Sequence, residues 1–221
     1  MRSHTIFPLV WRQSLSSANS VRSYFDSVAG GYSRSRSWAW AYLRGAESRA
    51  IWRAIGARNY HNVMELGCGS GFYSWGLAGL ARRLVCVDFS AKMLDQMAVP
   101  GAEKINADIQ EVTSDAGYDL ILCAGALEFV QQPGRVLANV ESMLAPEGSF
   151  VILAPKRNCA GAVYRHFHRR HDVAVRLFTE ADVLKLARSS GLIVREAHDV
   201  FPLSTVFIIE GAKCRTQKFS S

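Results

Sequence analysis

A short apolar run ends in an acidic residue and then in glycines at every second position: Val63-Met64-Glu65-Leu66-Gly67-Cys68-Gly69-Ser70-Gly71. Such a run, bounded by glycine, reads as a strand feeding a tight turn. Glycine lets the chain reverse sharply and leaves main-chain N–H groups open to a ligand with no Cβ in the way. The spacing is G-x-G-x-G and departs from the G-x-G-x-x-G of dinucleotide sites, which points to a nucleoside cofactor without a pyrophosphate. On their own the glycines fit an ordinary Gly-rich strand-to-helix turn equally well.

The surroundings separate these readings. Leu84-Val85-Cys86-Val87-Asp88 is a second apolar run ending in a carboxylate, one helix-length after the turn. In a βαβ unit Asp88 falls at the carboxyl end of the neighbouring parallel strand, about 20 residues after the first glycine, where an acid accepts ribose hydroxyls. Ala107-Asp108-Ile109 follows, with an Asp placed to meet the amino edge of an adenine, and Tyr118-Asp119-Leu120-Ile121-Leu122-Cys123 reads as a buried strand. Three successive strand ends thus carry polar residues where open α/β sheets bind ligands.

Taken together, V-M-E-L-G-C-G-S-G (63–71), V-C-V-D-F-S-A-K-M-L (85–94), A-D-I (107–109), Y-D-L-I-L-C-A-G-A-L-E-F-V (118–130) and L-A-P-E-G-S-F-V-I-L (144–153) resemble the class I S-adenosylmethionine-dependent methyltransferases of the small-molecule type. The resemblance runs roughly from Tyr24 to Lys213. It implies an α/β fold: a three-layer, Rossmann-like, seven-stranded sheet, mostly parallel with an antiparallel C-terminal hairpin, and helices on both faces. It implies S-adenosylmethionine as cofactor. Glu65, Gly67, Cys68, Gly69 and Gly71 would surround its methionine part, and Asp88 would take the ribose hydroxyls. Phe89 and Met93 would pack on the adenine, with Asp108 and Ile109 at its edge. Cys123 and Ala124 would touch the amino-acid part through their backbone, while Asp119 orients the start of its strand.

The periodicity predicts strands near 62–66, 84–88, 103–106, 118–123 and 149–154, with helices near 72–80, 90–97, 133–143 and 179–190. Thr179 is placed as N-cap of the last helix with Asp182 at N3. Leu192–Phe201 and Thr205–Glu210 form the closing hairpin around Pro202. Upstream, Val21–Gly31 reads as a short helix and Trp38–Ile55 as a longer one, with Tyr42, Leu43, Ala46, Ala50, Ile51 and Ala54 on one face. Length allows one domain over residues 1–221: a helical cover (1–60), the cofactor core (61–155), an acceptor-side lid (156–178), and the last helix and hairpin (179–221).

Charge is unevenly spread. Residues 1–62 carry a net +7, 63–154 a net −6 and 155–221 a net +6, so an acidic core lies between basic flanks. An anionic acceptor, or an anionic surface bearing it, would be drawn to those flanks. The alternative is that these Arg residues only solvate helix faces. Cysteines 68, 86, 123, 159 and 214 make no C-x-x-C pair, which fits a reduced, cytoplasmic protein and neither zinc nor a disulfide framework. The Arg- and Ser-containing first 20 residues leave organelle targeting as the alternative location. No apolar run reaches the roughly 18 residues of a membrane span.

Methyl transfer from a sulfonium asks the protein chiefly to align the acceptor and exclude water, with a base only where the acceptor must lose a proton. Glu128, in Leu127-Glu128-Phe129, is a candidate base or a group ordering the methionine end, with a solvated helix-start Glu as the plain alternative. Lys156–Arg176 holds His166, His168 and His171 among six basic residues, and histidines in a lid supply a base near neutral pH. Tyr24, Tyr32, Tyr164 and Arg165 are candidate acceptor contacts. No second ligand cluster accompanies His166-x-His168, so no metal is expected. The expected activity is methyl transfer to O, N or C of a small, partly apolar, anionic acceptor: a natural product, quinone, tetrapyrrole or lipid-like molecule. Two alternatives stand beside it. One is an RNA methyltransferase using the basic flanks, which the absence of N-P-P-Y or D-P-P-Y at 123–126 opposes. The other is a cofactor-binding protein without catalysis.

Overall fold

The computed structural model describes residues 18–29 and 38–212. In chain order the elements are α1 (Ala18–Val28), α2 (Trp38–Ile55), β1 (Tyr60–Leu66), α3 (Ser74–Ala78), β2 (Ala81–Asp88), α4 (Ala91–Gln96), β3 (Glu103–Asn106), β4 (Tyr118–Ala124), α5 (Pro133–Met143), β5 (Leu144–Pro155), α6 (Cys159–Arg169), α7 (Glu180–Ser189), β6 (Leu192–Val200) and β7 (Ser204–Gly211). A 3-10 turn, Leu127–Phe129, follows β4. The seven strands lie in the order β3-β2-β1-β4-β5-β7-β6. β1 to β5 are mutually parallel, and β7 runs antiparallel to both β5 and β6. This is the doubly wound sheet with a closing hairpin that the sequence leads one to expect.

Period-two alternation divides the core in two. Met64, Leu66, Val85, Val87, Ile121 and Cys123 face one layer, where Val136, Leu137 and Val140 of α5 and Val183 and Ala187 of α7 cover them. Val63, Leu84, Cys86, Leu120 and Leu122 face the other, under Ile51 and Ile55 of α2 and Leu77 of α3. With both faces covered, the strands read as unbroken apolar runs, as buried parallel strands do. Asp119 Oδ2 accepts from the N–H groups of His61 (2.7 Å) and Asn62 (2.9 Å), so it ties the start of β4 to the start of β1. Thr179 and Asp182 form the expected reciprocal cap of α7.

Several boundaries move. β5, expected near 149–154, begins at Leu144, and its pairing with β4 carries an irregularity between Tyr118 and Leu120. α3 contracts to Ser74–Ala78, because Phe72 and Tyr73 remain part of the turn. Tyr42, expected on the packed face of α2, is 66 % exposed. A helical stripe drifts about 40° every four residues, and Ile51 and Ile55 set the buried direction well away from Tyr42. The segment 156–178 contains α6, a helix that the apolar periodicity did not disclose.

Candidate functional site

The carboxyl ends of β1, β2 and β4 converge on a cleft of about 700 Å³. Its floor is the glycine turn. Gly67, Gly69 and Gly71 all have positive φ (73°, 54° and 91°). Gly67 N–H and Cys68 N–H donate to Val87 O at the end of β2. The turn is pinned from the side by Asp88, whose Oδ2 accepts from Gly69 N–H (2.8 Å) while Oδ1 accepts from Ser90 N–H (2.9 Å). Each Asp88 oxygen therefore retains acceptor capacity facing the cleft. A Cβ on Gly69 would meet nothing within 4 Å, so the main chain there opens directly onto the cavity.

Two buried carboxyls line this half of the cleft. Burial pushes Glu65 well above the ordinary carboxylate range, opposed by the hydroxyl of Ser74 (Oγ to Oε2, 2.5 Å) and reinforced by Cys86 and Asp88. Burial likewise raises Asp88, opposed by the N–H groups of Ser90 and Gly69, with Asp26 of α1 adding repulsion. Asp26 reaches this region through a hydrogen bond from the Ser90 hydroxyl. Two buried carboxyls, both raised chiefly by burial, in a cleft with open main-chain N–H groups suit a ligand that brings positive charge to the carboxyls and hydroxyls to Asp88.

Of the expected cofactor residues, Glu65, Gly67, Cys68, Gly69, Gly71, Asp88, Met93 and Ala124 line the cleft. Four do not. Phe89 is half-buried against Phe25 (ring centroids 6.0 Å apart) and Arg22. Asp108 accepts from the backbone and side chain of Gln110. Ile109 and Cys123 turn into the α5/α7 core layer. α2 supplies a further wall that no motif announces: Ala41, Arg44, Gly45 and Ser48 border the cavity. Their spacing, i, i+3, i+4 and i+7, with mostly small side chains, is the signal that could have found them.

The far end of the cleft is aromatic. Phe25 of α1 and Phe129 pack edge to face (5.2 Å). Behind them stands a polar group that the fold leaves incomplete. Glu128 is 2 % exposed; its Oε1 accepts from Tyr164 OH at 3.4 Å, and its Oε2 has no partner. Burial pushes its pKa up to about 8, with Glu47 adding to the rise. Oε1 lies 4.0 Å from where a Cβ of Gly125, a cleft residue, would sit.

α6 presents Tyr164 and His168 inward and Arg165 and His166 to solvent. His168 is buried among the rings of Tyr24 (5.8 Å), Phe129 (5.5 Å) and Tyr164 (4.6 Å), and its Nδ1 has no partner. Burial, with His171 nearby, lowers its pKa to about 4, so the ring is neutral at neutral pH. Burial also raises the Tyr24 hydroxyl. Of the expected catalytic and acceptor residues, Tyr24, Glu128, Tyr164, Arg165, His166 and His168 do not line the cleft; Glu128, Tyr164, His168 and Tyr24 cluster beside it. Tyr32 lies outside the described residues. Among the described residues no cluster of three His, Cys, Asp or Glu could hold a metal ion, and no helix is long and apolar enough to cross a membrane.

Comparison with known proteins agrees with this geometry. A family model described as a methyltransferase domain matches residues 64–152. A ubiquinone biosynthesis O-methyltransferase of Aeromonas salmonicida is 24 % identical over 170 residues, 66 % of this chain and 69 % of that one. An enzyme of the same description from Coxiella burnetii is 32 % identical over 111 residues, 47 % of each chain. Among solved structures, the 1,6-didemethyltoxoflavin-N1-methyltransferase of Burkholderia thailandensis, with bound 1,6-didemethyltoxoflavin and S-adenosylhomocysteine, superposes with a TM-score of 0.68 at 20 % identity, covering 96 % of this chain and 93 % of that chain.

Proposed function

Because the chain belongs to the class I S-adenosylmethionine-dependent methyltransferases, we propose that it methylates a hydroxyl or amino nucleophile on a small, partly apolar, anionic acceptor held at the aromatic end of the cleft. The donor supplies a methyl group already activated on a sulfonium. Glu65 and the turn 67–71 hold its methionine part, Asp88 its ribose, and Met93 with Gln96 its base; all of these line the cleft. The raised carboxyls of Glu65 and Asp88 fit a cationic donor.

The observation that carries the acceptor assignment is the orphaned Oε2 of Glu128. Leaving a buried polar atom unpaired costs about 1–3 kcal/mol, and an acceptor O–H or N–H beside Gly125 would complete it. With its pKa at about 8, Glu128 accepts a proton from such a nucleophile through its ionised fraction, which grows as pH rises toward 8. Phe25 and Phe129 flank the acceptor body and exclude water, and Arg44, the one basic residue lining the cleft among the described residues, meets its anionic group. Tyr164 orients Glu128, and α6 closes that side as a lid.

Radiolabelled donor, with a panel of phenols, carboxylated phenols and aromatic amines, tests this reading. A responsive acceptor should lose about 100- to 10,000-fold in kcat with Glu128→Gln, while S-adenosylhomocysteine affinity stays close to that of the parent. A variant that turns over at the parent rate on every accepted compound would remove Glu128 from the chemistry.

A further inference from the structure

Helix α6 carries two faces of opposite character. Gly161 and His168 are buried and Tyr164 is half-buried, all on the side that meets the body of the protein. On the other side Cys159, Val163 and Phe167 recur every fourth residue as an exposed apolar stripe, with Val163 71 % and Phe167 55 % exposed. His166 and Arg170 border the stripe, and Arg165 and Arg169, farther round the helix, are exposed too. α6 contains no acidic residue. Lys156 and Arg157, just ahead of the helix, are engaged by Asp199 (2.5 Å) and Asp182 (2.8 Å). None of the ion pairs among the described residues takes up Arg165, Arg169 or Arg170.

The β6–β7 loop extends the same edge of the molecule. Asn158, the N-cap of α6, donates from Nδ2 to Pro202 O (2.9 Å), and Lys156 N–H donates to Leu203 O (2.7 Å). These bonds hold Phe201, 81 % exposed, beside the start of the helix.

We propose that the outer face of α6, together with Phe201, docks on a lipid bilayer surface that carries anionic headgroups. An apolar stripe bordered by arginines on a preformed helix is the arrangement that seats in the headgroup region, with the side chains of the stripe below it and the guanidinium groups at phosphate level. Because the helix is already formed, docking incurs no cost of ordering its backbone. A nucleic acid would satisfy the arginines but leave Val163, Phe167 and Phe201 uncovered, so the apolar half of the surface selects the bilayer. The inner face of the same helix reaches the cleft only at second hand, through Tyr164 on Glu128 and His168 on Phe129. This proposal stands on the surface alone and not on the identity of the acceptor.

Co-sedimentation with vesicles tests it, using phosphatidylcholine alone and an equimolar mixture with phosphatidylglycerol. The parent protein should partition onto the mixed vesicles, weakly at high salt, and far less onto the neutral ones. Arg169→Gln with Arg170→Gln should weaken partitioning about 30-fold, the equivalent of about 1 kcal/mol per cation. Val163→Ser with Phe167→Ser should weaken it at least roughly tenfold from the apolar area withdrawn. Phe201→Ser, outside the helix, should act in the same direction and guards against a local effect on α6. Circular dichroism and S-adenosylhomocysteine binding verify that each variant is folded. Equal partitioning onto neutral and mixed vesicles would overturn the proposal. So would dependence on the arginines alone with both serine variants binding like the parent, since that describes adhesion to any polyanion, RNA included.

Discussion

Substituting alanine at two neighbouring glycines of the turn should separate a structural glycine from a ligand-facing one. Gly67 has φ 73°, and a Cβ built on it falls 2.2 Å from the Cβ of Ala126. Carbon atoms in contact prefer about 3.5–4.0 Å, so Ala126, and with it the loop that carries Gly125 and Glu128, would have to retreat by more than an ångström. The left-handed backbone costs a non-glycine residue about 1–2 kcal/mol, and overpacking adds about 1–3 kcal/mol. Gly69 has φ 54° with open space around its Cβ, so only the backbone cost applies. At about 2–4 °C per kcal/mol for a chain of this size, Gly67→Ala should lower Tm by roughly 10 °C and Gly69→Ala by roughly 4 °C. Binding should reverse that order of severity relative to stability. The methyl group of Gly69→Ala projects into the cleft, so its affinity for S-adenosylhomocysteine should fall by more than its small Tm loss suggests. Thermal unfolding of the apoprotein and isothermal calorimetry measure the two quantities. Equal Tm losses, or a Gly69→Ala protein that binds as the parent does, would refute the close-approach argument and the placement of the cleft.

Other consequences can be measured with the same tools. Asp88→Ala should abolish measurable S-adenosylhomocysteine binding by calorimetry, while Asp88→Asn, which keeps one acceptor oxygen for the turn, should retain the fold and lose most affinity; unchanged affinity in both would displace the cofactor site. Glu128 has a folded pKa of about 8, above its unfolded value. Its contribution to stability is therefore full below about pH 4.3 and is lost as pH rises toward about 8. Urea midpoints of Glu128→Gln should lack that alkaline decline. His168 has a folded pKa lowered to about 4, so its contribution is present above about pH 6.5 and is lost as pH falls through about 4. His168→Phe should reduce the acid sensitivity by up to about 3.5 kcal/mol, since each pKa unit between about 6.5 and about 4 is worth about 1.4 kcal/mol; an unchanged acid limb would show that His168 is not buried in its neutral form.

What the sequence disclosed and what it hid follow from the range of the interactions involved. The glycine turn, Asp88 and the Thr179–Asp182 cap are local: each depends on a few neighbouring residues with narrow chemical choices, so the residue types announce the geometry. Cys123 and Ile109 are different. Ile121 and Cys123 face one layer and Leu120 and Leu122 the other, yet all four are apolar because both faces of the sheet are covered. A strand of that kind carries no parity signal, so which side chains turn from the cleft is decided by sheet register and not by pattern.

α6 was hidden for a related reason. Its inward positions are occupied by Gly161, Tyr164 and His168, and its apolar Val163 and Phe167 point outward. A search for an apolar core-facing stripe therefore meets the reverse of the usual arrangement. That inversion is physically costly on both sides: an imidazole nitrogen and a carboxyl oxygen lie buried without partners within, and apolar side chains lie in water without. Under the two proposals each side gains a partner: a nucleophile-bearing acceptor would complete Glu128, and a bilayer would cover Phe167. The two sets of measurements are separable because Tyr164 and His168 bear on the first and Val163, Phe167 and Arg170 on the second. Glu128→Gln that slows turnover without altering vesicle partitioning, and Phe167→Ser that does the opposite, would establish that the cluster inside α6 and the stripe outside it serve separate sites.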